Sequence, residues 1–235
     1  MPDLKDIFDN KADDYDLLVS FEDYNNNLQN TIMKKIGNAK NMVMIDFGTG
    51  TGRVARLFSP YFKHIYAFDA SESMIRKAKE ISEEKNIKNI TYDIGDHRQI
   101  PIDSNIADII IEGWSFCCIR AWNQNWKTEI DKAFKEVERT IKKDGKFFLI
   151  ETLGTMTDGV NPPKALGELY EYYENIEKFN KEIIRTDYKF ESVNEASKLC
   201  TFFFGNEVGE IIENRKMKIV PEYTGIWEKH YQKIV

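Results

Sequence analysis

The chain has 235 residues, enough for one sizeable core, and carries 33 Lys and Arg against 39 Asp and Glu for a formal net charge of −6. Mixed charge without a basic stripe disfavours a nucleic-acid partner, and no apolar run approaches the roughly 18 residues of a membrane span. Three cysteines, two of them the neighbours Cys117 and Cys118, and three histidines form neither a disulfide framework nor a Cys-x-x-Cys pair, so no metal site is expected.

Met1-Pro2-Asp3-Leu4-Lys5-Asp6 lacks the basic flank and apolar stretch of an export signal, which makes a cytoplasmic protein the expectation. Residues 1–40 read as a helical cap, with Leu17, Leu18, Phe21, Leu28, Ile32, Met33 and Ile36 on an interrupted apolar face and Gly37 as a stop. A strand over 42–47 and a helix over 53–58 flank Gly48-Thr49-Gly50-Thr51-Gly52. A second strand, 64–68, precedes a helix over 74–84 with Ser71 as its N-cap. Residues 90–94 form a third strand closed by Gly95-Asp96. The nearly unbroken apolar run 106–111 reads as a strand buried on both faces, as in parallel sheets. A helix over 124–141 leads through Lys142-Lys143-Asp144-Gly145 into a fifth strand, 146–151.

This alternation predicts one domain with a doubly wound, Rossmann-like, mostly parallel α/β sheet, helices on both faces and an antiparallel C-terminal strand. Its cofactor-binding core spans 41–154. Residues 155–182 form an inserted substrate cap, with a loop to 163 and a Tyr-rich helix over 164–179. Residues 183–235 complete the sheet: a strand over 183–190, one broken or two short helices over 193–215, and a strand over 217–229 bent at Pro221.

In a sheet of this kind ligands bind beyond the carboxyl ends of the strands, where every candidate site residue falls. Three glycines at alternate positions after Asp46 let the backbone take positive φ and approach a ligand closely, and the helix that follows leaves N–H groups unpaired. Asp69 ends the second strand. A carboxylate there accepts two hydroxyl protons at once, and a nucleoside presents an adjacent pair. Asp46 either meets a ligand's ammonium or braces the glycine turn. Trp114 follows the buried fourth strand, where an aromatic ring attracts a cation by about 0.5 to 2 kcal/mol or serves as core. Phe116 reads similarly. The cysteines read as small buried hydrophobes, and Tyr170, Tyr172 and Tyr173 either line a pocket or pack on the sheet.

Together these residues resemble the class I S-adenosylmethionine-dependent methyltransferases, in their small-molecule branch. Asp46-Phe47-Gly48-Thr49-Gly50-Thr51-Gly52 is similar to that family's first motif, Asp69 to its ribose acid and Gly95-Asp96-His97 to its adenine-side turn. Asp108 to Trp114 resembles the fourth-strand motif, Leu149-Ile150-Glu151 the fifth, and Phe8 to Asp16 the segment that caps the cofactor. The resemblance implies S-adenosylmethionine as cofactor, S-adenosylhomocysteine as product and a small-molecule methyl acceptor. It implies cofactor contacts from Tyr15, Asp46, Gly48, Thr49, Gly50, Gly52, Asp69, Ala70, Met74, Asp96, His97 and Trp114. Alignment in a dry pocket supplies most of the catalysis such a reaction needs, and where a proton must leave, His97, Tyr15 and Glu151 are the candidate bases. A rival reading is a nicotinamide oxidoreductase, because Gly50-Thr51-Gly52-Arg53-Val54-Ala55 satisfies G-x-G-x-x-A with Asp69 19 residues beyond Gly50. A non-catalytic S-adenosylmethionine-binding protein is the third. Acceptor identity and oligomeric state are left open by the sequence.

Overall fold

A computed structural model describes residues 3–232; the ends of the expected cap and C-terminal stretch, 1–2 and 233–235, lie outside it. Five parallel strands form the amino-terminal part of one sheet: β1 (Val43–Phe47), β2 (His64–Asp69), β3 (Ile90–Ile94), β4 (Ala107–Gly113) and β5 (Ile141–Thr155). Two later strands, β6 (Asn180–Arg185) and β9 (Glu222–Tyr231), complete the order β3-β2-β1-β4-β5-β9-β6, with β9 antiparallel to both neighbours.

The central strands are apolar throughout because both faces are covered. Met44, Ile109, Ile111, Phe148, Ile150 and Ile226 pack on one side with α3 (Asn27–Ile36), α4 (Arg53–Phe58) and α5 (Glu72–Glu84). Ile45, Phe47, Ile110, Phe147, Leu149 and Trp227 face the other, against α6 (Phe116–Trp122) and α7 (Trp126–Thr140). Period-two alternation of the side chains divides these sets. Two short helices, α1 (Leu4–Asn10) and α2 (Ala12–Ser20), lie near the carboxyl edge. A satellite cluster joins Leu18 of α2 to α9 (Val193–Phe204), α10 (Asn206–Arg215) and a two-stranded ribbon of β7 (Tyr188–Lys189) and β8 (Ile219–Val220).

Four expectations need correction. The strand expected over 183–190 is two: β6 ends at Arg185, the chain bends at Thr186-Asp187, whose carbonyls both accept from Asp23 N, and Tyr188 then enters the ribbon. The single helix expected over 164–179 is a 3₁₀ turn (Lys164–Leu166), α8 (Gly167–Glu171) and a π turn (Tyr172–Ile176). That irregularity turns Tyr170 and Tyr173 onto Trp227, with ring centroids 4.9 and 5.7 Å away. α6 was not foreseen, because no element was expected between the fourth strand and the helix over 124–141. β5 starts at Ile141 rather than 146, through an irregular register in which Asp144 takes a φ of 64°. The helices over 193–215 stand as expected, while the bend expected at Pro221 divides the stretch 217–229 into β8, in the ribbon, and β9, in the main sheet.

Candidate active site

The glycine turn is held by two carboxylates. Gly48, Gly50 and Gly52 all have positive φ, at 68°, 54° and 86°. Asp46, at the end of β1, accepts from Thr49 Oγ1 at 2.6 Å and from the α4 amide of Ala55 at 3.0 Å, so it braces the turn and caps the helix together. Its Oδ1 is buried without a partner, and burial pushes its pKa up to about 7. Asp69 accepts from Gly50 N at 2.8 Å and Ser71 N at 2.9 Å. Burial also raises its pKa. Ser71, not Asp69, caps α5, by accepting from Met74 N at 3.3 Å. Met74 is buried in the first turn of α5, while Ala70 beside it is exposed.

Around the turn stand Tyr15, His97 and Trp114. A Cβ built on Gly50 would lie 3.7 Å from the Tyr15 ring, and Phe8 meets that ring edge-on at 5.5 Å. The helices carrying them are tied down by Ser71 Oγ donating to Phe8 O at 3.0 Å and by the Arg56–Asp16 ion pair at 3.0 Å. Burial raises the pKa of the Tyr15 phenol, which keeps its proton near neutrality. A Cβ on Gly48 would lie 2.2 Å from Ser115 Oγ and 2.7 Å from His97 Nε2, so only glycine permits this packing. His97 lies against Phe47 and Phe116, and burial lowers its pKa to about 4. The imidazole is therefore neutral near pH 7 and a weak proton acceptor. Trp114 takes a left-handed φ of 55° and stacks under the Arg53 guanidinium at 4.7 Å. Asp96 turns toward Arg98, which it engages at 2.5 and 2.6 Å.

Sequence reasoning named Glu151 as a candidate base and missed the other members of a second group of residues. Glu112 ends β4 with no exposed surface, and its Oε1 accepts from Ser115 N at 2.6 Å and Phe116 N at 2.7 Å, with Ser115 Oγ at 2.6 Å. Glu151, equally buried in β5, accepts from Cys117 N at 2.9 Å. Glu112↔Leu149 pairing puts both acids on one sheet face, and burial raises both pKa values. Glu222, at the start of β9, is raised by burial to about 8 and accepts from Thr152 Oγ1 at 2.5 Å. Glu22 accepts from Arg53 and, at 3.0 Å, from Thr186 Oγ1. A charged residue closing the run Ile109-Ile110-Ile111 was the one available signal, since carboxylates are seldom fully buried without a purpose.

The model of the family described as "Methyltransferase domain" matches residues 38–198. The chain belongs to the class I S-adenosylmethionine-dependent methyltransferases. Among similar proteins, an uncharacterized methyltransferase, YcgJ, of Bacillus subtilis (strain 168) is 31% identical over 108 residues, 46% of this chain and 40% of that one. This methyltransferase spans 40% to 66% of the length of the first curated relatives it matches. A SAM-dependent methyltransferase structure from Aquifex aeolicus superposes with a TM-score of 0.58 at 16% identity, covering 97% of this chain and 98% of the other. A phosphoethanolamine N-methyltransferase 2 from Haemonchus contortus, solved with phosphomonomethylethanolamine and S-adenosylhomocysteine, gives 0.61 at 16% identity, covering 98% and 59%. These two likenesses establish the fold. Membership removes the nicotinamide reading, and the geometry offers a physical reason. A dinucleotide's pyrophosphate sits at the helix N-terminus after β1, and here the Asp46 carboxyl already accepts from one of the amides there, Ala55 N, at 3.0 Å.

Proposed function

We propose that the chain transfers the methyl group of S-adenosylmethionine to a small-molecule nucleophile by in-line displacement. The observation that carries this reading is the donor and acceptor set at the carboxyl edge. Buried, partnerless Asp46 Oδ1 and Thr51 Oγ1 lie at the turn, beside an Asp69 carboxylate that caps no helix through its side chain. Unmet hydrogen-bonding capacity of that kind fits a polar, cationic nucleoside ligand. The residues that would hold it are Asp46, Gly48, Thr49, Gly50, Gly52, Asp69, Ala70 and Met74 around the ribose and amino-acid portions, with Asp96 and His97 toward the base. S-adenosylmethionine supplies an electrophilic methyl group on a positively charged sulfur.

The chain's own contribution is alignment and the exclusion of water. Tyr15 and Phe8 close over the glycine turn from α1 and α2, and neutral His97 adds no charge that would repel a sulfonium. Trp114 presents a ring to the same space, although Arg53 already covers one of its faces. A small acceptor suits an edge roofed by α1, α2 and the satellite cluster, and the net negative charge gives nucleic acid no footprint.

Calorimetry tests the reading. S-adenosylhomocysteine should bind with micromolar-scale affinity, about −8 kcal/mol, and NAD should give no heat. Heat from NAD alone would overturn the proposal. Binding of S-adenosylmethionine with no methyl transfer to any acceptor would make the chain a non-catalytic binder.

A further inference from the structure

Glu112 and Glu151 have chemistry left over. Each commits one carboxyl oxygen to the backbone at the start of α6, and the other oxygen of each, Oε2, is buried with no partner. The Tyr173 hydroxyl is likewise buried and unpartnered, and it is an electrostatic neighbour of both acids and of Cys117. Among the described residues no Lys or Arg forms an ion pair with either glutamate. A structural role explains one oxygen of each acid and leaves the second unaccounted for. Leaving such a group unpaired is costly.

The location narrows what could satisfy them. Ser115, which contacts Glu112 through both its amide and its hydroxyl, is the residue a Gly48 Cβ would strike, so the pair stands directly behind the glycine turn. Phe116 borders it through its amide, and Tyr170 and Tyr173, ring against ring, are electrostatic neighbours of both acids, the Tyr170 hydroxyl being turned away to Thr152 O at 2.8 Å. The unmet groups are therefore two carboxyl oxygens and one phenol in an aromatic surround. Such a set matches a ligand that donates several N–H bonds and carries positive charge. It opposes a carboxylate or phosphate, which brings no N–H donor to meet the carboxyl oxygens.

We infer that Glu112 and Glu151 form the acceptor subsite, and that the acceptor is a basic nitrogen compound, a primary or secondary amine. The inference rests on the methyl-transfer reading above. An arriving ammonium gives one proton to the carboxyl pair in its singly ionised form, R–NH₃⁺ and carboxylate becoming R–NH₂ and carboxylic acid, which frees the nitrogen lone pair for methylation; the product departs as R–NH₂CH₃⁺ and the pair returns its proton to water. Raised carboxyl pKa values suit that exchange, because a proton passes more readily to an acid that already favours its neutral form.

The test uses full-length protein saturated with S-adenosylhomocysteine and calorimetry with matched probe sets that differ only in the head group, beginning with benzylamine, benzyl alcohol and benzoate and extending to alkyl series. At least one amine should bind ten times more tightly than its alcohol, and the carboxylates should not bind. Glu151→Gln and Glu112→Gln should each weaken amine binding at least tenfold while S-adenosylhomocysteine affinity stays within twofold, which also reports that the variants fold. Alcohols or carboxylates binding as well as amines, amine binding unchanged in both variants, or no amine bound across the sets would each overturn the inference. Failure of S-adenosylhomocysteine itself to bind would instead overturn the methyl-transfer reading.

Discussion

The two halves of the carboxyl edge are built on different principles. Between β1 and β2 the site is made of main chain: three positive-φ glycines, with Asp46 and Asp69 bonding backbone amides to hold their path. Between β4, β5 and β9 it is made of side chains, where Glu112, Glu151 and Glu222 sit buried and incompletely paired on ordinary strands. A backbone site tolerates almost no change of residue type at its glycines, whereas a side-chain site can be re-specified by exchanging one acid. This division suits a protein that keeps one cofactor and selects one acceptor.

The sharpest way to break the comparison is Gly48→Ala. The new Cβ would stand 2.2 Å from Ser115 Oγ at a φ of 68°, so strain of about 1 to 3 kcal/mol adds to the clash and S-adenosylhomocysteine affinity should fall roughly a hundredfold. Gly167→Ala, with nothing within 4 Å and a helical φ of −54°, is the control and should leave affinity unchanged. Calorimetry on both variants decides it.

Asp69→Ala should have the next largest effect. Loss of charged hydrogen bonds worth about 1.5 to 3 kcal/mol each, before water compensates, predicts a ten- to several-hundredfold drop in S-adenosylhomocysteine affinity. The amides of Gly50 and Ser71 lose their acceptor as well, so stability should fall by about 1 kcal/mol. A lowered melting temperature with unchanged affinity would reduce Asp69 to a brace.

The smallest effect is a pH slope, which belongs mainly to the side-chain half. Glu222 at about 8 and Asp46 at about 7 hold protons that an unfolded chain releases near pH 4, and Glu112 and Glu151 are shifted the same way. Raised carboxyl pKa values give stability that is complete below the unfolded pKa and is lost as pH climbs through the folded one, so melting temperature should decline from pH 5.5 to 8.5. His97, lowered to about 4, acts oppositely and removes stability only as pH falls from about 6.5 toward 4. Glu222→Gln should flatten the decline, and an unchanged slope would clear Glu222 of responsibility for it.

The legibility of the molecule follows the same division. Glycine spacing, β-branched runs and caps are local signals, so β1 to β4, the turn and Ser71 were readable from neighbouring residues alone. Where tertiary contact overrides local preference the reading fails. The bend at Thr186-Asp187 exists because Asp23 N bonds both carbonyls from 163 and 164 residues away, and the π turn at 172–176 exists in company with Trp227. Glu112 and Glu222 look like any solvated acid until the strands beside them are in place. For Asp46 the sequence offered the brace as one of two roles, but not its cap on Ala55 N, which depends on where the third residue of α4 lies.

Arg53 joins parts of the chain that sequence separates widely: it opens α4, stacks on Trp114 and pairs with Glu22, which in turn holds Thr186. The unit is therefore indivisible. A fragment trimmed to residues 38–198 would strand a half-buried guanidinium without its carboxylate and, lacking β9, would leave the edges of β5 and β6 as open templates for other chains. Such a fragment would aggregate, and attempts to graft this glycine turn onto another protein would have to carry both terminal segments with it.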